Sequence, residues 1–247
     1  ITKMSHLHFV STKKYKERVI QLGEQPDRVF DVGAFGIDNI RNLQLLTKDD
    51  LEKSLDFKFG QRNLLITFHP VTLENSTSKQ QFSNLLSVLE KLKNTHLIFT
   101  QANADTDGRI INQMIIKYVS SNSNKAVFYK SLGQLRYLST LQYMDGVVGN
   151  SSSGLVEAPS FKIGTINIGD RQLGRVKSES VIDCDSSIKG IQGAFNTLFG
   201  EEFKKLVSNV ENPYDKGKVA DKISRVIQTH SLDNILKKKF YDIETLM

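Results

Sequence analysis

Residues 146–159, Gly-Val-Val-Gly-Asn-Ser-Ser-Ser-Gly-Leu-Val-Glu-Ala-Pro, place three hydroxyls and a run of backbone N–H groups between an apolar strand and the start of a helix. Unpaired N–H groups and the positive end of a helix dipole favour phosphate at such a place. Ser151, Ser152 and Ser153 can add hydrogen bonds without bulk. Glu157, further along the same helix, is spaced to accept hydrogen bonds from a sugar hydroxyl attached to that phosphate. An ordinary Ser-capped helix carries the same residues, so the rest of the chain must decide between the two.

Other residues with chemical potential also follow apolar runs. His69 comes directly after Leu64-Leu65-Ile66-Thr67-Phe68 and before Pro70, at a sharp exit from a sheet. There a histidine can donate to a phosphate oxygen or move a proton near neutral pH, or simply pack at the strand end. Arg171 and Arg175 follow the run Gly164–Ile168 and the turn Gly169-Asp170, and their planar forks suit phosphate or ribose oxygens if they converge on the serine turn. Asp105 and Asp107 have the spacing of either metal ligands or helix caps, and capping is the expected role, so no metal is implied. Cys184 is the chain's single cysteine, which rules out an internal disulfide and a cysteine-cluster metal site and fits a reducing cytoplasm.

The elements that must hold these residues alternate. Strands are expected at Leu7–Val10 and Arg28–Val32 around a helix from Thr12 to Leu22. The turn Gly33-Ala34-Phe35-Gly36-Ile37-Asp38 follows, then a connection over 41–62 containing a helix Lys48–Ser54. Further strands fall at Asn63–Phe68, His96–Thr100, Ala126–Tyr129, Gly146–Gly149 and Gly164–Ile168. Helices Lys79–Lys93, Asp107–Val119, Leu132–Gln142 and Gly154–Phe161 separate them. Such alternation with short connections predicts an α/β fold with a parallel sheet covered by helices on both faces, whose ligands sit at the carboxyl ends of the strands. Two or three helices follow residue 193, the last expected over Leu232–Met247.

The chain has 247 residues, 39% of them hydrophobic and 24% charged, with no apolar run long enough to span a membrane. It begins at Ile1 without a Met and reads as the back portion of a longer protein. The formal charge of +6 raises nucleic-acid binding as a question. Its lysines are scattered, however, and Lys237-Lys238-Lys239 lacks an aromatic-basic context, so that run is expected to be the solvated face of a terminal helix. Neither a nucleic-acid nor a membrane partner is expected.

Taken in order, His69-Pro70-Val71-Thr72, Asn103-Ala104-Asp105, Gly149-Asn150-Ser151-Ser152-Ser153-Gly154 with Glu157, and Ile168-Gly169-Asp170-Arg171-Gln172-Leu173-Gly174-Arg175 resemble the UDP-N-acetylglucosamine 2-epimerases. Asn212-Pro213-Tyr214 with Gly217-Lys218 is similar to another segment of that family, with Asp215 where Gly is usual. His-Pro-Val-Thr and Asn-Ser-Ser-Ser-Gly, in place of His-Arg-Arg-Glu-Asn and Asp-Ser-Gly-Gly, resemble the hydrolysing branch that feeds sialic and legionaminic acid synthesis.

The resemblance implies two Rossmann-like domains in a GT-B-like arrangement. Residues 1–57 would be the tail of the first domain and the connection, 58–230 the UDP-binding domain, and 231–247 a helix packing back toward the first. It further implies that Ser151 and Ser152 hold the diphosphate, Glu157 binds the ribose hydroxyls, the Leu132 backbone meets the uracil, Asn103 and Arg171 line the nucleotide pocket, and His69 faces the diphosphate and the reacting sugar as the catalytic residue. The implied reaction eliminates UDP to a 2-acetamidoglucal and adds water at C1 with inversion at C2, needing no cofactor and no metal. A UDP-sugar substrate, a cytoplasmic location and a homo-oligomer, dimer or tetramer, go with it. The family's acidic residues for proton transfer lie outside the matched portion, so the chain alone is expected to bind UDP weakly without turnover. A two-domain glycosyltransferase and a non-catalytic nucleotide-sugar module are the competing readings, separated by whether UDP and a free 2-epimer are released.

Overall fold

The computed structural model describes residues 1–71, 77–103 and 107–243. Its first elements are β1 (His8–Val10), α1 (Lys13–Gln21), β2 (Val29–Asp31), α2 (Phe35–Asn42) and α3 (Lys48–Leu55). The strands and helices β3 (Arg62–Thr67), α4 (Ser78–Leu89), β4 (Thr95–Thr100), α5 (Gly108–Ser121), β5 (Ala126–Tyr129) and α6 (Gly133–Leu141) come next. The chain then runs through β6 (Gly146–Gly149), α7 (Ser153–Val156), β7 (Gly164–Ile168), β8 (Val181–Cys184), α8 (Ile188–Phe199), α9 (Glu201–Ser208) and α10 (Val219–Thr229). Thr72, Ala104 and Asp105 of the sequence motifs, and residues 244–247 of the expected terminal helix, lie outside the described residues.

The chain forms two compact units, Leu43–Glu211 and a second made of Ile1–Asn42 with the segment from Asn212 onward. The larger holds a six-stranded sheet in the order β5-β4-β3-β6-β7-β8, every neighbouring pair parallel. Counted within the unit this is the 3-2-1-4-5-6 order of a Rossmann sheet, whose direction of winding reverses between β3 and β6. Leu64, Leu65 and Ile66 are at most 1% exposed, because a strand in a parallel sheet is buried on both faces and reads as a continuous apolar run. Alternation sends Leu64 and Ile66 into a core with Phe82 and Leu85 of α4, Ile111 and Ile115 of α5, and Phe195 of α8. Leu65 faces the opposite way.

Local signals set the helix starts. Thr47 accepts from Asp50 N–H and Ser187 from Gly190 N–H, each satisfying a donor that the first turn leaves open. Asp56, at the end of α3, turns left-handed at φ 47°. Among the described residues no helix is long and apolar enough to cross a membrane.

The smaller unit pairs β1 and β2 in parallel and packs α1 against β2 and α10 against α2. Arg41 donates to both carboxylate oxygens of Asp215 at 2.9 and 2.7 Å, and Asp38 accepts from Ala220 N–H at 3.0 Å. These non-local contacts put residues 212–230 with the amino-terminal segment, while Leu46 N–H donates to the Ser139 hydroxyl and the Tyr129 hydroxyl of β5 to the Leu55 carbonyl, which puts 43–57 with the larger unit. The chain therefore divides at 42/43 and 211/212, where linear reading suggested 57/58 and 230/231.

Three expectations need correcting. The terminal helix does not form over the described residues 231–243, which are turn and extended chain. Tyr241 N–H instead donates to the Gly23 carbonyl at 2.9 Å, and Lys238 is no solvated-face residue, since it donates to Ser5 O and pairs with Glu24, both at 2.6 Å. The strand β8 was not foreseen. The helix expected over Gly154–Phe161 is a single turn, α7, followed by a separate 3₁₀ turn Ala158–Phe161. Pro159 has no N–H to continue the helical ladder across that break.

Candidate functional site

The reversal between β3 and β6 brings the ends of those strands side by side, with Thr67 paired to Gly149. Gly149 adopts φ 134°, and a Cβ there would stand 1.9 Å from the Thr67 carbonyl oxygen, so only glycine permits this approach. The next residue exploits the closeness. Asn150 N–H donates to Thr67 O at 3.2 Å, while its side chain grips the His69 backbone from both sides. Asn150 Oδ1 accepts from His69 N–H at 2.7 Å, and Asn150 Nδ2 donates to His69 O at 2.8 Å. The Asn150 carbonyl accepts in turn from Gln172 Nε2 at 2.7 Å and Arg171 Nη1 at 3.0 Å. The chain exits after β3, β6 and β7 are thus tied through one buried asparagine.

This network places the expected site residues. His69 is buried at the end of β3, and its Nδ1 accepts from Asn103 N–H at 3.1 Å. A backbone N–H can only donate, so the neutral ring carries its hydrogen on Nε2. Arg171 reaches the site through its bond to the Asn150 carbonyl, whereas Arg175 is exposed on the same loop. Asp107 stands at the start of α5 without a side-chain capping bond, contrary to its expected role, and Asp105 lies outside the described residues. Among the described residues no cluster of three or more His, Cys, Asp or Glu could hold a metal. Burial, with Asp185 and Asp183 adding to it, pushes the Cys184 thiol up to about 12, so it is no nucleophile near neutral pH.

A pocket of about 420 Å³ opens at the carboxyl ends of β3 and β4, with Thr67, Thr100, Leu132, Tyr137, Ser151 and Ser153 among its lining residues. Thr67 and Thr100 share a hydroxyl–hydroxyl bond of 2.6 Å there. The chain passes the pocket at Leu132 with Gly133 at φ 63°, and the Leu132 carbonyl accepts from Arg136 Nε at 3.0 Å. The three serines divide their work. Among the described residues Ser152 makes no side-chain capping bond, and the Ser151 hydroxyl takes a long 3.4 Å contact from Ser153 N–H. Ser153 is hydrogen-bonded to the Tyr137 hydroxyl. Glu157 follows α7, where burial raises its carboxyl pKa. The pocket presents the hydroxyls of Thr67, Thr100, Tyr137, Ser151 and Ser153 together with Lys130 at the winding reversal, a chemistry suited to the phosphates of a nucleotide.

His69, Asn103 and Arg171 therefore come together around Asn150, and Leu132 and Ser151 share a pocket wall. Sequence reasoning missed Asn150 and Gln172 as organisers and Tyr137 as a partner of the serine turn. Asn150 had a signal in its place within the Gly-Asn-Ser motif; Tyr137, on an ordinary amphipathic helix, had none.

The sequence matches the profile of the UDP-N-acetylglucosamine 2-epimerase family over residues 1–228. It is 45% identical over 244 residues to a GDP/UDP-N,N'-diacetylbacillosamine 2-epimerase (hydrolyzing) of Campylobacter jejuni, covering 98% of this chain and 63% of that protein. It is 42% identical to the polysialic acid biosynthesis protein P7 of Escherichia coli (98% and 62%) and 31% identical to a UDP-N,N'-diacetylbacillosamine 2-epimerase (hydrolyzing) of Legionella pneumophila (97% and 62%). The chain thus spans under two thirds of the length of these relatives. Among solved structures, the UDP-GlcNAc 2-epimerase of Neisseria meningitidis bound to UDP-GlcNAc superposes with a TM-score of 0.78 at 20% identity, over 93% of this chain and 63% of that one. The S. aureus MnaA-UDP co-structure gives 0.74 at 17%, over 98% and 65%. The fold of those enzymes is the fold of this chain. It belongs to the UDP-N-acetylglucosamine 2-epimerase family.

Proposed function

We propose that this chain carries the UDP-binding half of a hydrolysing 2-epimerase, which converts a UDP-2-acetamido sugar to UDP and the free 2-epimer. The observation that carries the reading is the convergence, at the reversal between β3 and β6, of His69 and the serine turn. The pocket at the ends of β3 and β4 is the seat of the nucleotide, with Ser151 and Ser152 on the diphosphate, the Leu132 backbone at the uracil, Glu157 on the ribose, and Asn103 and Arg171 bounding the site. His69, with its hydrogen on Nε2, donates to a diphosphate oxygen as the bond from C1 to that oxygen breaks. A donor aimed at developing charge in a dry site stabilises the transition state more than the ground state. Water then adds at C1 of the glycal with inversion at C2.

The names of the relatives support a 2-acetamido sugar, with UDP-GlcNAc and the 2,4-diacetamido sugar as the two candidates, and the polysialic acid biosynthesis protein among them supports a place in sialic acid supply; legionaminic acid supply and a cytoplasmic location complete the proposed reading. The enzyme works as a homo-oligomer and uses no cofactor.

Incubation of the full-length enzyme with each nucleotide sugar, followed by NMR of the products, tests the reading. Release of UDP and a free 2-epimer is expected. Sugar transfer to an acceptor, or UDP bound without turnover in the full-length enzyme, would overturn it.

A further inference from the structure

Gly149, Thr67, Thr100 and Tyr129 form a row across β6, β3, β4 and β5 at the carboxyl end of the sheet: Thr67 pairs with Gly149, Thr100 with Tyr129, and the two threonines bond to each other. The serine turn leaves one end of that row and the segment 130–134 leaves the other. The threonines therefore floor the pocket, and the two chain exits form facing sides of it. Three strand spacings, about 14 Å, separate those exits. A nucleotide that has its diphosphate at Ser151 and crosses the floor brings its base to the far side, where Lys130 stands.

We propose that Lys130 reads the nucleobase: its ammonium donates to the oxygen on C4 of uracil and makes the pocket prefer UDP to CDP. The inference rests on the pocket being the seat of the nucleotide with the diphosphate at Ser151. Few groups on the far side are open to a ligand. The Ser131 hydroxyl already accepts from Gly133 N–H at 3.1 Å, the Leu132 side chain is buried, and the Leu132 carbonyl accepts from Arg136. Lys130 and Gln134 are exposed there and line the pocket. The Gln134 amide carries a donor and an acceptor and can turn over to suit either kind of base edge, whereas an ammonium only donates. Among the described residues the Lys130 ammonium has no hydrogen-bond or ion-pair partner, so it is free to meet an acceptor. In a pyrimidine nucleotide C4 lies across the ring from the nitrogen that carries the ribose, so its substituent reaches furthest from the sugar. Uracil presents an accepting oxygen there; cytosine presents an amino group, whose hydrogens would face those of the ammonium.

The test is calorimetry of UDP, CDP and inorganic pyrophosphate with the full-length enzyme as wild type, Lys130→Met and Lys130→Arg. The wild type should bind UDP about tenfold tighter than CDP, the low end for a hydrogen bond to a charged group, because an exposed lysine keeps much of its interaction with water. Lys130→Met keeps the length of the stem and removes the ammonium. It should weaken UDP about tenfold beyond any loss shared by pyrophosphate, and bring UDP and CDP within about twofold of each other. Lys130→Arg, still purely a donor, should keep UDP ahead of CDP. Equal losses for UDP, CDP and pyrophosphate in Lys130→Met would assign the ammonium to the phosphates and overturn the base reading. A preference for UDP that survives Lys130→Met, or that the wild type lacks, would overturn it as well, and each of these results leaves the nucleotide seat in place. A wild-type enzyme that binds neither UDP nor CDP would overturn the seat itself and this inference with it.

Discussion

Removing the Asn150 side chain should loosen the site from behind. Asn150 and His69 are buried, and the side-chain amide satisfies both the N–H and the carbonyl of His69 at 2.7 and 2.8 Å. In Asn150→Ala both groups lose their partners, and each buried orphan costs roughly 1–3 kcal/mol. The sum is about 2–5 kcal/mol, allowing some relief from water entering through the pocket, which a domain stabilised by about 5–15 kcal/mol survives. Asn150→Asp is sharper. It keeps an acceptor for His69 N–H but sets a carboxylate oxygen against the His69 carbonyl, a lone pair against a lone pair, unless that oxygen carries a proton. Its folded pKa is then raised above the unfolded value of about 4, so its stability is near wild type below about pH 4 and is lost as pH rises. The Arg171 guanidinium, 3.0 Å from the Asn150 carbonyl, favours the carboxylate and moderates that rise. Denaturant midpoints of the wild type and both variants between pH 4 and 8 measure this directly. An Asn150→Ala loss under about 1 kcal/mol, or an Asn150→Asp deficit independent of pH, would refute the clamp.

Ser151→Ala with Ser152→Ala should weaken UDP at least about tenfold by calorimetry, since each charge-assisted hydrogen bond contributes roughly 1.5–3 kcal/mol; unchanged affinity in a folded double variant would dismiss the anion seat. His69→Ala in the full-length enzyme should lower kcat about a hundredfold or more with the fold intact, whereas a packing role alone predicts a lower Tm and near-normal turnover. Burial works to raise the pKa of Glu24, but hydrogen bonds from Lys238, Lys3 and His8 hold it down to about 2. Its folded pKa being depressed, the stability it contributes is full above about pH 4.5 and is lost as pH falls toward 2, so an acid-unfolding curve should be shallower in Glu24→Gln than in the wild type.

The parts of the molecule that sequence could reach are those specified locally. Leu64-Leu65-Ile66 must be a strand buried on both faces, and small or hydroxylated residues at the ends of such runs mark where a ligand can approach the backbone. β8 escaped notice for the converse reason: Val181-Ile182-Asp183-Cys184 is a four-residue edge strand, half-exposed, with too short an alternation to stand out. Partners far along the chain left no trace either. Asn150 and His69 are 81 residues apart, and Lys238 reaches the carbonyls of Thr2, Lys3 and Ser5 across more than 230, so its run of lysines read as a solvated helix face.

Asp215 joins the two kinds of information. It departs from the glycine usual in the family segment, yet its own φ is not positive; the left-handed positions are Gly217 at 59° and Lys218 at 51°. The backbone at 215 therefore makes no demand that only glycine can meet. Its carboxylate takes both bonds from Arg41 and one from Gly217 N–H at 3.1 Å, fastening the turn to α2. A Cβ on Gly217 would stand 2.7 Å from the Arg41 guanidinium, so a side chain there would push the arginine away from Asp215, and the ion pair uses the space the glycine leaves.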